Sequence, residues 1–213
     1  LMNTTVRIGA VLLAAGAGSR MGHKPKSLLQ LDGQPLIKRM VNHLLQAGVS
    51  QLVVVLGHYA VDIGAAIEGL PVDSVLNPDP GQGLVSSQRL GLQAISPNTA
   101  LVGRALADQP LVKASDIDML VQVFMKRPAG TEMLFPWVHG QPGNPVLLSA
   151  TARAEILSGD SQWGCKEWRQ HHAERTHRHE CNNLHFTTDL DRPQDISDFE
   201  RKYGARLHWP TNQ

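Results

Sequence analysis

Disulfide chemistry is nearly missing from this 213-residue chain, which holds only two cysteines, Cys165 and Cys181. That is too few for a disulfide framework and in keeping with a reducing, cytoplasmic compartment. An excess of charge of one sign is missing as well. Twenty Lys and Arg against nineteen Asp and Glu leave a formal net charge of +1. That balance excludes the broad electrostatic footprint of a nucleic-acid or membrane-surface partner. Long apolar runs are lacking too, since the stretch from Ile8 to Ala17 falls well short of the ~20 residues of a membrane span. The same stretch after Arg7 has the outline of a signal peptide, with Ala15-Gly16-Ala17 as its small-residue site. A single positive charge precedes it, however, and Arg20, Lys24 and Lys26 follow at once, which favours a buried strand. Leu1, ahead of Met2, is set apart from the fold. Repeats and low-complexity tracts are also absent.

What is present is a globular composition, 42% hydrophobic. The length suits one domain over 1–213 that buries about 70% of its extended surface. Residues 6–13 form a short apolar run, as in a strand covered on both faces. Pro35 is placed at the first position of a helix. Its apolar stripe is Leu36, Ile37, Met40, Val41, Leu44 and Leu45, and Gly48 closes it. Further strands over 51–56, 72–76 and 100–106 alternate with helices over 60–67, 84–94 and 116–125. This β-α-β-α order predicts a doubly wound α/β fold, a mostly parallel, Rossmann-like sheet with helices on both faces. Past residue 130 the pattern loosens into an irregular C-terminal third. Strands are expected there over 133–138 and 144–148, and helices over 150–157 and 193–203.

The stretch LLAAGAGSRMGHKPKSLL, residues 12–29, turns abruptly from apolar residues to glycines and cations. Loops after parallel strands line the carboxyl edge of the sheet, where α/β proteins bind ligands. Glycines there let backbone N–H groups approach an anion, and Arg20 and Lys26 add charge that neutralises a polyphosphate. Two familiar templates fail on spacing. A Walker A loop needs Gly-Lys-Ser/Thr, but His23 follows Gly22. A dinucleotide fingerprint needs a third glycine where Met21 stands, and the second strand ends in Gly57-His58 without an acid for a ribose.

Six segments in order, among them LAAGAGSRMGHKPKSLL with LDGQPLI, VVVLGH and NPDPGQGLVSSQRLGLQAI, carry a resemblance over most of the chain. The others are ALADQPLV, GQPGNPVLL and DLDRPQDI. Together they resemble the molybdenum-cofactor nucleotidyltransferases, which make cytosine or guanine dinucleotides of molybdopterin. The resemblance implies the fold of nucleotide-diphospho-sugar transferases, with an NTP-binding half over about 6–130 and an acceptor-binding half over about 131–213. It implies that Leu13, Ala14, Ala15 and Gly16 contact base and ribose, with Gly18 and Ser19 in the same nucleotide-binding loop. Arg20 would meet the β- and γ-phosphates, and Lys26 the α-phosphate and the charge developing there. Asp108 would hold Mg²⁺, with Asp191 as the second acid and Asp189 as its fallback. A helix cap is the bland alternative for Asp108 and for Asp191. Gly83 and Ser87 would face the nucleotide or, alternatively, belong to an ordinary amphipathic helix. Gly143 and Asn144 would form the acceptor loop, where relatives often carry histidine in place of Asn144.

Guanine-using relatives carry two glycines where this chain has Ala14-Ala15-Gly16, so CTP is the nucleotide favoured over GTP. The partners implied are CTP, a molybdopterin-type acceptor, and a molybdoenzyme or its chaperone. Other readings stay open: another nucleotide or a sugar-phosphate acceptor, a nucleotide-binding insertion factor, or an oxidoreductase, since some relatives carry that label. The segment HHAERTHRHECNNLH brings together His171, His172, His177, His179, Cys181 and His185. Its spacing fits no zinc finger, and a solvated helix end followed by a strand is favoured. Trp163 and Trp168 beside it are read as core, with stacking on a flat acceptor such as a pterin as the alternative.

Overall fold

Alternation decides where each residue of the first strand points. β1 (Ile8–Ala14) is buried at every position after Ile8. Ala10, Leu12 and Ala14 enter one hydrophobic core, and Val11 and Leu13 enter another. A strand covered on both faces is an inner strand of a parallel sheet. The computed structural model describes residues 6–211, so Leu1 and Met2 lie outside the described residues.

After β1 come two short strands, β2 (Gln30–Leu31) and β3 (Gln34–Pro35), and the helix α1 (Leu36–Gln46). Pro35 corrects the sequence reading by one position. It pairs with Gln30 in an antiparallel ladder, with φ −55° and ψ 139°, so the helix starts at Leu36. The chain continues through β4 (Gln51–Leu56), α2 (Ala60–Ala66), β5 (Asp73–Leu76) and α3 (Leu84–Ala94). Next are β6 (Leu101–Leu106), α4 (Ala114–Met125), β7 (Met133–Val138), β8 (Gln141–Pro142) and β9 (Val146–Ser149). The last elements are α5 (Ala150–Ser158), α6 (Cys165–His171), β10 (Thr176–Cys181), α7 (Pro193–Tyr203) and β11 (Leu207–His208).

The main sheet runs β10-β7-β9-β6-β1-β4-β5, with β8 paired to β7. β1 is parallel to β4 and to β6, β4 to β5, and β7 to β10. β9 is antiparallel to both of its neighbours, β6 and β7. The fold is therefore the mostly parallel, Rossmann-like α/β sheet, and the last third extends it through β7, β9 and β10. Because β9 is antiparallel to both β6 and β7, β7 and β10 end on the same edge as β1, β4, β5 and β6.

One face buries Ile37, Met40 and Leu44 of α1, Ile63 of α2 and Leu120 and Phe124 of α4. The other buries Leu92 of α3, Ala152 and Ile156 of α5 and Trp168 of α6. Each such aliphatic or aromatic side chain contributes about 1.5–3 kcal/mol on burial. A third cluster joins Met21, Leu29, Leu31 and Leu36 to Leu190, Phe199 and Leu207. It packs α7 and the small sheet β11-β2-β3 under the glycine-rich loop. No helix among the described residues is long and apolar enough to cross a membrane.

Two arginines bind α3 and α5 reciprocally. Arg89 on α3 donates to the carbonyls of Leu157, Asp160 and Trp163 at the end of α5. Arg153 on α5 donates to those of Ser96 and Pro97 beyond α3. Each cation binds carbonyls at or just beyond the end of the other helix. Arg89→Ala is expected to cost about 2 kcal/mol, since it removes the side-chain donor from the Leu157 and Trp163 carbonyls. A lower urea midpoint at unchanged slope checks this.

Candidate active site

β1 lies between β4 and β6, and the chain moves outward through β4 and β5 before returning to β6. That return makes the β1/β6 boundary a switch point, where open α/β sheets leave a crevice at the carboxyl edge. A cavity of about 650 Å³ opens there, within the usual range for a small-ligand site.

Its rim begins with the loop after β1. Gly18 adopts φ 61°, and its carbonyl accepts from the amides of Met21 and His23 at 2.8 and 2.9 Å. Short helical turns at Ser19–Met21 and Lys26–Leu28 then present Arg20 and Lys26. Lys26 Nζ donates to Asp108 Oδ2 and Asp191 Oδ1, both at 2.6 Å. Arg20 Nη2 lies 3.0 Å from Asp191 Oδ2 and is largely exposed. Burial alone would lower the Lys26 pKa, but Asp108 and Asp191 outweigh it and hold the ammonium above its ordinary value. Burial would likewise raise Asp191, yet Lys26, Arg20 and Arg192 hold it below the usual carboxylate range. The four side chains form one charge-balanced cluster.

The acids arrive from two loops that are tied together. Asp108 follows β6, and its carbonyl accepts from Leu190 N at 3.2 Å. Gln109 Nε2 donates to Asp189 Oδ1 at 2.8 Å and to the Phe186 carbonyl at 2.9 Å. Asp195, not Asp191, caps α7, accepting from the amides of Asp191 and Arg192 at 2.8 Å. The Asp191 carboxylate is thereby left to the cations. Asp108 Oδ1 is buried and has no hydrogen-bond partner.

Asp189 also lines the cavity. Removal from bulk water, with Asp108 and Asp191 nearby, pushes its carboxyl up to about 6 although part of the residue remains exposed. A carboxyl with a folded pKa above its unfolded 3.8 favours the fold only while protonated. That contribution is complete below pH 3.8 and is lost as the pH rises to about 6. Asp189→Asn keeps an oxygen for Gln109, so it is expected to melt higher than the native chain at neutral pH. The difference shrinks toward acid pH, which thermal melts across the range check.

Leu13, Ala14, Ala15, Gly16, Gly18 and Ser19 all line the cavity, as do Gly83 and Ser87 at the start of α3. Ser87 is buried and accepts from Asn77 Nδ2 at 2.9 Å. The Ala15 methyl packs against Gly57 at the end of β4, where an added Cβ would come within 2.8 Å of it. The methyl thus both lines the cavity and limits how closely the loop after β4 approaches β1. That loop adds His58 and Tyr59, which sequence reasoning missed. His58 Nδ1 lies 2.9 Å from the Ala15 carbonyl, and Tyr59 Oη donates to the Ala17 carbonyl at 2.8 Å. Their place directly after a parallel strand was the available signal.

Gly143 and Asn144 lie outside the cavity lining. Their loop, between β8 and β9, is nonetheless joined to the acid loops, because the Phe186 carbonyl accepts from Asn144 N and from Gln109 Nε2. The histidines of 171–185 are dispersed. His171 stacks on Trp163 and His172 on Trp168, each at 4.4 Å, while His185 Nδ1 lies 2.8 Å from Asp116 Oδ2. Trp168 is fully buried, as read from the sequence, and Trp163 packs partly buried against the same core.

Among the described residues, no group of three or more His, Cys, Asp or Glu side chains is arranged to hold a metal by itself. A cation at Asp108 and Asp191 would take its other ligands from phosphate and water, the habit of Mg²⁺. The unpartnered, buried Asp108 Oδ1 fits that use.

Residues 10–177 match the MobA-like NTP transferase domain. The chain is 36% identical over 164 residues to nicotine blue oxidoreductase of Paenarthrobacter nicotinovorans, covering 72% of this chain and 78% of that one. It spans only 13–29% of several other curated relatives, which are larger proteins. Among solved structures it resembles a nucleotidyl transferase from Methanothermobacter thermautotrophicus, with a TM-score of 0.75 and 26% identity over 93% of this chain and 98% of that one. It also resembles a manganese complex of Rv0371c from Mycobacterium tuberculosis, with a TM-score of 0.69 and 26% identity over 90% and 97%. Because the family model covers well over half of the chain, the chain belongs to the MobA-like NTP transferase family and is a nucleotidyltransferase.

Proposed function

We propose that the protein is a cytoplasmic, Mg²⁺-dependent cytidylyltransferase that joins CTP to the phosphate of a molybdopterin-type acceptor and releases pyrophosphate. The convergence of Lys26, Asp108 and Asp191 on the cavity floor carries this reading. A phosphate oxygen of the acceptor attacks the α-phosphorus in line. A new P–O–P bond forms, and the bond to pyrophosphate breaks with its electron pair going to the leaving group. Glycine-loop amides and Arg20 orient the outer phosphates, and Lys26 stabilises the charge that builds on the α-phosphate. Held by Asp108 and Asp191, Mg²⁺ would supply Lewis-acid charge to the phosphate oxygens. The orphaned Asp108 oxygen and the manganese complex of the mycobacterial neighbour support that assignment. The loop bearing Gly143 and Asn144 is assigned to the acceptor, within an acceptor half over residues 131–213.

Preference for CTP rests on Ala15. Removing its methyl lets the His58 loop settle toward β1 and widens the base slot. Ala15→Gly is therefore expected to move the kcat/KM ratio toward GTP by about tenfold, the scale of one methyl group. An unchanged ratio rejects this basis for selection. The whole reading is tested by pyrophosphate release from each of the four NTPs, with and without molybdopterin cofactor. Release that requires CTP and the acceptor is the expected result, and release indifferent to the acceptor overturns it.

A second reading rests on the 36% identity to an oxidoreductase. It requires a substrate-dependent change in NAD(P)H absorbance without pyrophosphate release. A third, a binding factor that inserts cofactor into a molybdoenzyme, requires nucleotide binding without pyrophosphate release. The presence of both Lys26 and Asp108 supports transfer over either.

A further inference from the structure

We infer that Lys26 is a stand-in for the divalent cation: in the nucleotide-free protein its ammonium occupies the place between Asp108 and Asp191 that the metal must take. The inference rests on the metal-dependent transfer proposed above and adds an order of binding to it.

The geometry makes the two occupants exclusive. Nζ sits 2.6 Å from one oxygen of each carboxylate, Asp108 Oδ2 and Asp191 Oδ1. A magnesium-sized ion bonds carboxylate oxygens at about 2.0–2.1 Å. Two cations cannot share so small a space between the same oxygens, because their mutual repulsion grows as the separation falls. The remaining oxygens do not relieve the conflict. Asp108 Oδ1 is free to take the ion, but both oxygens of Asp191 are engaged, Oδ1 by Lys26 and Oδ2 by Arg20, so an ion held by both acids still meets the lysine. Lys26 must therefore leave before the metal seats between the two acids.

Where the lysine goes decides when this happens. Its side chain is only 20% exposed, so the displaced ammonium remains within the cavity. The other carboxylate lining the cavity is Asp189, which is already engaged by Gln109. Metal alone thus leaves Lys26 with at most one carboxylate, Asp189, in place of the two it gives up. A triphosphate supplies the missing charge and gives both cations oxygens of their own. Metal and nucleotide consequently bind with positive coupling, and the coupling is reciprocal. The arrangement keeps the two acids neutralised until substrate arrives.

The probe is Mn²⁺, titrated into the purified chain and followed by the electron paramagnetic resonance of the free ion. The titration is run with and without the α,β-methylene analogue of CTP, after correction for the analogue's own Mn²⁺ binding. The native chain is expected to bind Mn²⁺ weakly alone and at least tenfold more tightly with the analogue. Lys26→Met is expected to bind Mn²⁺ alone at least tenfold more tightly than the native chain, with a smaller gain from the analogue. Lys26→Arg, which keeps a cation, is expected to behave like the native chain. Equal or weaker Mn²⁺ binding by Lys26→Met overturns the inference and leaves the metal-dependent reading standing. Failure of every form to bind Mn²⁺, even with the analogue, overturns the metal-dependent reading itself. If Lys26→Met does not fold, the native chain carries the test through labelling by acetic anhydride. Lys26 is expected to be shielded without metal and nucleotide, and its labelling to rise when Mn²⁺ is added at saturating concentration. Labelling that Mn²⁺ leaves unchanged rejects the exchange.

Discussion

Lys26→Ala is expected to lower kcat by about 100- to 1,000-fold, the usual cost of removing a group aimed at developing charge. KM for the nucleotide is expected to change less, because in the proposed reaction glycine-loop amides and Arg20 still hold the outer phosphates. The side chain touches both acids at 2.6 Å, so its loss also leaves two carboxylates without the cation between them. Asp108→Ala acts on the same step from the opposite side and is expected to lose turnover to a similar extent. Because the two residues work as a unit, the double variant is expected to lose little more than either single one. Pyrophosphate release measures all three, with circular dichroism to show that the fold persists. Full turnover in either single variant rejects the role assigned to that residue, and strictly additive losses reject the shared step.

Gly18→Ala is the other substitution with a large expected effect, and it acts through backbone geometry alone. At φ 61° a side chain is strained by about 1–2 kcal/mol. The added Cβ would also fall 2.1 Å from the Lys24 carbonyl oxygen, which is backbone and cannot rotate away. The turn must open, and with it go the Met21 and His23 hydrogen bonds that position Arg20. KM for the nucleotide is expected to rise by at least about tenfold, equivalent to 1.4 kcal/mol of lost binding. Gly22→Ala separates the two causes. It has a similar φ of 73° but nothing within 4 Å of the added atom, so it carries strain without a clash. Equal effects from the two substitutions on KM show that the contact with Lys24 is immaterial.

Local signals carried much of the fold. The unbroken apolar run of β1 announced an inner strand, and the helix over 84–94 lies where its glycine and its apolar spacing put it. Lys26, Asp108 and Asp191 were each singled out from the chain. What could not be read was their meeting, since ion pairs across 82 and 165 residues leave no periodic trace. Strands of two residues, such as β2, β3 and β11, are too short to show alternation. The reversal of β9 is equally silent, because a buried antiparallel strand has the same apolar composition as a parallel one. The helix cap read as the alternative for Asp191 falls to Asp195, which accepts from the amides of Asp191 and Arg192, and only the folded backbone shows that exchange.

The pairing of Lys26 with Asp191 across 165 residues also sets a timetable. A ribosome adding about 5–20 residues per second needs on the order of ten to thirty seconds to travel that far. Throughout that interval the growing chain displays a loop of glycines and cations without the acid that completes it. β11, which pairs with β2 just beyond the same loop, emerges later still. The charge cluster at the cavity is therefore among the last parts of the molecule to assemble, and a chain halted before Asp191 lacks one of its two acids however well its first strands have formed.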